Sequence, residues 1–248
     1  MYDRSREERI IEVLVGLGTR TNGFAFDPGE FLHAVVTSGL DLLDAAEIGV
    51  LLWLPNGTMR AAACSTDGSV ALGLLQCQDR EGPCLDCCRS GRPVSSEDLR
   101  LERNRWPSFS RRAVNAGFAS VHALPMQVAG RVVGAMNLFR DQTGRLAAAD
   151  LRLAQGMADL AAARLMHEQA LRDLQERANH LEVALTSRVV IEQAKGMLAE
   201  RLDLSPDEAF GLLRSYARAR NLRLSGVAED LIRGQLSLAT FSSVPVGN

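Results

Sequence analysis

Apolar and polar positions change period several times along the chain, and each change predicts an element. Residues 5–17 carry an apolar stripe at helical spacing. After Asp27-Pro28-Gly29, Phe31, Leu32, Val35, Val36, Leu40 and Leu43 recur at helical intervals, predicting a second helix with one core-facing side. The period then changes. Ile48 to Leu54 is a continuous apolar run, Pro55-Asn56-Gly57 is a turn signal, and Met59 to Cys64 completes a β-hairpin. A second pair of strands, Ser120 to Val128 and Val132 to Phe139, flanks Ala129-Gly130-Arg131. Between the pairs lie a short strand near Val94 and a helix from Pro107 to Ala116. Helices packed on an antiparallel sheet make this part an α+β fold.

From Leu146 to Leu202 there is no proline, and only Gly156 and Gly196 interrupt what reads as one long helix. Leu153, Met157, Leu160, Leu171, Leu174, Ala178, Leu181 and Leu185 form a heptad seam, broken by Arg164 and His167. A second stripe, Leu151, Ala154, Ala158, Ala161 and Leu165, leaves the first half apolar on two faces, one for the sheet and one for a partner. The expected consequence is a parallel homodimer joined through the Leu146–Leu185 helix. The competing reading is a helix that packs only on its own domain.

The last fifty or so residues read as a small all-α unit. Val189, Val190, Ala194, Leu198 and Leu202 end the long helix. Ser205-Pro206 with Glu208 is a capping box that starts a second, with Ala209, Phe210, Leu213 and Ala217 on its apolar side. Leu224 to Ile232 supplies a third. Charge changes the picture here. The chain has 248 residues and a net charge of −2, so nucleic-acid binding would need a local patch. Gly211 to Gly226 holds Arg214, Arg218, Arg220 and Arg223 and no acid. With Arg188 and Lys195 on the neighbouring helix, such a cluster suits phosphate contact, although a solvated helix face has the same composition.

Residues 1–20 combine many charges with a short apolar run, which is wrong for a signal peptide or a membrane span and predicts a cytoplasmic protein that avoids membranes. In that compartment Cys64, Cys77, Cys84, Cys87 and Cys88 are expected to be reduced. Cys84-x-x-Cys87 has the spacing of a metal knuckle or a redox pair, but a closed zinc site would need Cys64 or Cys77 beside it. Inert packing thiols are the favoured reading, with redox and metal roles as alternatives, and His33 and His122 read as packing histidines.

Arg188, Ile191, Gln193-Ala194-Lys195-Gly196, Ala209-Phe210, Leu213-Arg214, Ala217-Arg218, Asn221, Leu224 and Val227-Ala228 together resemble the ANTAR family of bacterial antitermination regulators. The resemblance implies a three-helix RNA-binding module that recognises paired hairpins in nascent messages, one loop per protomer of a dimer. On that reading Arg188, Lys195, Arg214, Arg218 and Arg220 are assigned to phosphate and Asn221 to a base, with a helix-end cap as the alternative for Asn221. Tyr216 is either a base-stacking ring or the rim of the core.

The region before it, roughly residues 10–165, resembles a GAF domain. The resemblance rests on Glu81-Gly82-Pro83-Cys84-Leu85, Arg105-Trp106-Pro107-Ser108-Phe109 and Gly134-Ala135-Met136-Asn137-Leu138. It implies a pocket for a small-molecule ligand or signal on one face of the sheet. The expected organisation is a sensor at 1–145, a coiled-coil helix at 146–185, an ANTAR module at 186–235 and a tail without a task at 236–248. No catalytic residue, metal or cofactor is assigned. Two rival classes remain: a thiol enzyme acting on sulfoxides, with Cys84 as nucleophile and Cys77, Cys87 or Cys88 resolving, and a DNA-binding helix-turn-helix regulator.

Overall fold

The computed structural model describes residues 5–19, 26–54, 56–65, 73, 76, 79–237 and 241. The chain divides into two compact units between Ala170 and Leu171. The first contains helices α1 (Arg6–Thr19) and α2 (Pro28–Leu42), strands β1 (Glu47–Trp53) and β2 (Met59–Cys64), helix α3 (Pro83–Ser90) and strand β3 (Val94–Ser96). A 3₁₀ helix (Leu99–Asn104), α4 (Pro107–Asn115), β4 (Ser120–Val128) and β5 (Arg131–Arg140) follow. Helix α5 (Ala148–Leu202) runs on across the boundary to α6 (Pro206–Ala219) and α7 (Leu224–Ile232).

The strands form one antiparallel sheet in the order β2-β1-β5-β4-β3. Side chains alternate across it, so each strand serves two cores. Ile48, Val50, Leu124, Met126, Met136 and Leu138 face α2 and α5, meeting Phe31, Leu32, Val35 and Val36 from one and Ala154, Met157, Ala158 and Ala161 from the other. On the opposite face, Leu51, Ala123 and Ala135 pack under α3, and Val121 and Phe139 pack with Phe109 and Ala113 of α4.

Two of the three GAF-like motifs, Glu81–Leu85 and Arg105–Phe109, meet each other. Glu81 accepts hydrogen bonds from the backbone N–H of Ser108 (2.6 Å) and Phe109 (2.7 Å), satisfying orphan donors of the first turn of α4. Asp86 accepts from Arg105 (3.1 Å) and from the indole N–H of Trp106 (3.1 Å). Gly82, at φ 127°, lets the side chain of Gln76 cap α3 by accepting from the N–H of Cys84 at 2.9 Å.

The long helix departs from its predicted use. Met157 is buried, and Leu153 and Leu160 pack against the same core as the second stripe. Leu146 is buried there too. Both apolar stripes of this half of α5 therefore contribute to the core of its own domain, with Leu153 and Leu160 left half-buried. Arg164, which breaks the seam, is tied into its own domain: it pairs with Glu168 at 2.7 Å and lies 4.8 Å over the ring of Phe26. From Leu171 onward the seam is uncovered, with Leu171 47 %, Leu174 60 %, Leu181 72 % and Leu185 68 % exposed.

The second unit packs the end of α5 with α6 and α7 around Ala194, Leu198, Ala209, Leu213, Tyr216, Val227, Ala228 and Leu231. The tail, which the sequence leaves without a task, has one at Phe241, which is fully buried in this core. An aromatic ring supplies the apolar area that so small a unit otherwise lacks.

Candidate nucleic-acid interface

Helix α6 is fixed at both ends by its own residues. Ser205 and Glu208 form the reciprocal capping box, and hydrogen bonds from Ser205 hold the Glu208 carboxyl below the usual carboxylate range. At the other end Asn221 has φ 54°. Its N–H reaches the Arg218 carbonyl (3.2 Å) and the N–H of Leu222 reaches that of Ala217 (2.9 Å), the pattern of a Schellman stop. Asp203 (φ 53°) ends α5 similarly, with the N–H of Leu204 on the Ala199 carbonyl at 3.0 Å. These two stops fix where α6 begins and ends.

Burying Ala209, Leu213 and Ala217 turns Arg214 and Arg218, one helical turn apart, to solvent. Both are exposed with no ion-pair partner among the described residues, as are Arg188 on α5 and Arg223 at the start of α7. Arg220 is exposed as well, but its guanidinium lies 3.9 Å over the Tyr216 ring, which is buried and packs on Phe241 at 4.9 Å. Tyr216 is thus core rim. Lys195 is half-buried and ion-paired with Glu192 three residues earlier, which leaves it less available than its sequence suggests. Arg223 lay in the sequence cluster without a role, and its exposure puts it with the unpaired set. Asn221 is exposed, so its backbone task leaves the amide group outward.

The cysteines of the first unit look inward. Cys84, Cys87 and Cys88 are buried on α3, and Cys64 is half-buried on β2. Cys77 lies outside the described residues. Burial, helped for Cys87 by the neighbouring Cys88, pushes the thiols of Cys87 and Cys88 up to about 12, so neither is an attacking thiolate at neutral pH. Among the described residues no group of His, Cys, Asp and Glu has the geometry to hold a metal ion, and no helix is long and apolar enough to cross a membrane. His122 is buried on β4 with Nδ1 2.9 Å from the Ser95 hydroxyl, and burial, with Arg140 nearby, pulls it below the ordinary histidine range.

Comparison with known proteins agrees with this division. A GAF domain is matched over residues 27–166 and an ANTAR domain over residues 179–232. The chain belongs to the GAF family and carries an ANTAR domain behind it, in the order of a GAF–ANTAR regulator. Such a pair points to a sensor joined to an RNA-binding antitermination regulator rather than to an enzyme. No curated protein matches the chain.

Among solved structures, the GAF domain of Acinetobacter phosphoenolpyruvate-protein phosphotransferase is similar at 12% identity and TM-score 0.53, covering 68% of this chain and 97% of that one. A free methionine-R-sulfoxide reductase from Neisseria meningitidis, in complex with its substrate, is similar at 12% identity and TM-score 0.52, covering 69% and 97%. A bacteriophytochrome from the photosynthetic bacterium R. palustris is similar at 10% identity and TM-score 0.53, covering 77% of this chain and 44% of its own. At these identities the likeness shows the fold alone.

Proposed function

We propose that this protein is a signal-responsive antiterminator that binds two RNA hairpins as a parallel homodimer. Phosphate contact falls to Arg188, Arg214, Arg218 and Arg223, with Lys195 and Arg220 contributing less because Glu192 and Tyr216 hold them. Asn221, whose amide group stands free while its backbone stops α6, is the residue to read a base. The observation that carries the reading is the acid-free stretch of four arginines, Gly211 to Gly226, with Arg214 and Arg218 side by side and unpaired on α6. The exposed leucines of α5 from Leu171 to Leu185 support pairing of two chains, since this seam is the longest uncovered apolar stripe among the described residues. A ligand in the sensor domain would act by altering how the two α5 helices pair, and thereby how two RNA-binding modules are spaced. The boundaries proposed for these parts are 1–145, 146–185, 186–235 and 236–248.

The test compares Arg218→Ala with Arg220→Ala in hairpin-RNA binding across a salt series. Arg218→Ala should weaken binding and reduce the slope of log K against log salt by about one phosphate contact, while Arg220→Ala does less. Equal binding by wild type and Arg218→Ala would remove α6 from the interface.

A further inference from the structure

Two uncommitted charges flank the exposed seam of α5. Leu171, Leu174, Ala178, Leu181 and Leu185 follow alternating three- and four-residue steps, and the next two positions in that series are Arg188 and Glu192. Arg177 lies on one flank of this stripe and Glu182 on the other, so the two cannot meet within one helix. Both are exposed, and neither has an ion-pair partner among the described residues. In a parallel, in-register pair the residue before one seam position faces the residue after the following seam position on the other helix. A second copy therefore sets Arg177 against Glu182 of the partner subunit, twice by symmetry. An antiparallel pair sets each flank against its own kind, Arg177, Ala184 and Ile191 on one side and Gln175, Glu182 and Val189 on the other, and makes no opposite-charge contact.

That register decides what meets next. Past Leu185 the seam position belongs to Arg188, which is exposed and unpaired among the described residues: Glu192, one turn on and its natural intrahelical partner, is ion-paired with Lys195 instead. Arg188 lines a shallow depression with Leu185, Val189, Glu192 and Gln193. We propose that the two Arg188 side chains of the dimer converge there on one phosphate group, forming an anion site that neither chain holds alone, at the point where the apolar grip of the two helices ends. The proposal rests on the reading of the chain as a dimeric RNA binder, and it states how pairing and phosphate binding are coupled. Two guanidinium groups facing each other across the seam repel until an anion lies between them, so each event strengthens the other. Arginine suits the site because its planar fork holds two phosphate oxygens by parallel hydrogen bonds.

The experiment is sedimentation equilibrium of the full chain with and without about 10 mM tripolyphosphate, at one ionic strength set with chloride. The wild-type dimer should tighten about 3- to 10-fold with tripolyphosphate, as for a ligand taken up only by the pair. Arg188→Leu restores an apolar seam position, so it should dimerise about 10-fold more tightly than wild type and ignore the anion. Arg188→Gln, which removes the charge without adding an apolar side chain, should ignore it too, whereas Arg201→Ala, exposed further along α5, should keep the wild-type response. Arg177→Glu should weaken the dimer, and adding Glu182→Arg should restore it. Circular dichroism checks the fold of each variant. The proposal is overturned if Arg188→Leu dimerises no more tightly than wild type, or if tripolyphosphate leaves the wild-type dimer unchanged or acts equally on Arg188→Gln. It is overturned too if the double variant stays as weak as Arg177→Glu. Two-hairpin RNA identifies the source of the phosphate: binding about 10-fold weaker in Arg188→Gln assigns the site to the RNA backbone, and undiminished binding assigns it to a free polyphosphate. A wild-type chain that stays monomeric overturns the dimer reading and this site with it, whereas a dimer that binds hairpin RNA and is indifferent to Arg188 overturns this site alone.

Discussion

The part of the seam on α5 from Leu171 to Leu185 gives the sharpest single test, because Leu171, Leu174, Leu181 and Leu185 are exposed in the protomer. Leu181 is 72 % exposed in the protomer, so replacing it with glutamate removes almost no contact within the chain. Fully burying a leucine is worth about 1.5–3 kcal/mol, so about 1–2 kcal/mol per chain remains to be gained at Leu181 by pairing. A symmetric dimer uses the position twice, giving about 2–4 kcal/mol, and two glutamates facing each other add repulsion. Leu181→Glu should therefore raise the dimer dissociation constant by about 30- to 700-fold or more, while helix content and the unfolding of each unit stay unchanged. Sedimentation equilibrium over a wide concentration range, with circular dichroism alongside, reads both quantities. A wild-type chain that stays monomeric at high concentration, or a variant that dimerises as tightly as wild type, would refute the reasoning. So would a variant that loses its fold, since that would mean that Leu181 is covered within the protomer.

Other outcomes follow from individual contacts. Gly134→Ala places a Cβ 2.3 Å from the Leu51 carbonyl oxygen and 3.2 Å from Leu52 Cα, backbone atoms that cannot turn aside. It should destabilise the first unit by about 1–3 kcal/mol in denaturant melts. His122 sits below its ordinary range when folded, so the unfolded chain binds its proton first as pH falls. Stability should decline as pH drops through about 6.5 and below, and His122→Gln should flatten that part of the profile. In the native protein at neutral pH, Cys87 and Cys88 should resist alkylation until denaturant is added, and prompt labelling would contradict their burial.

Much of the fold was legible because period and punctuation agree locally. The run Ile48 to Leu54, the turn after it and Met59 to Cys64 differ from β1 and β2 by no more than a residue, and the Ser205 capping box formed as its spacing required. Less legible was which of two apolar faces a partner takes. Periodicity cannot distinguish Leu153 and Met157, which meet the sheet, from Leu174 and Leu181, which lie beyond it on the same face of α5. Arg164 was a local clue, since an arginine in the seam needs an acid and found Glu168. In the candidate site, charge located the arginines but not their engagement. Lys195 beside Glu192 depends on rotamers, and Arg220 over Tyr216 depends also on Phe241, which packs on that ring from beyond α7. Asn137 lies within a strand motif, and nothing local in the sequence says that its amide has no hydrogen-bond partner among the described residues.

The central claim is recognition of paired hairpins by a dimer. Its most direct test is titration of the purified chain into a labelled RNA bearing two short hairpins, a single-hairpin RNA and duplex DNA at one near-physiological salt concentration. The account predicts tight binding of the two-hairpin RNA at two chains per molecule, much weaker binding of one hairpin, and loss of that advantage in Leu181→Glu. Equal affinity for one hairpin, two hairpins and duplex DNA would contradict it.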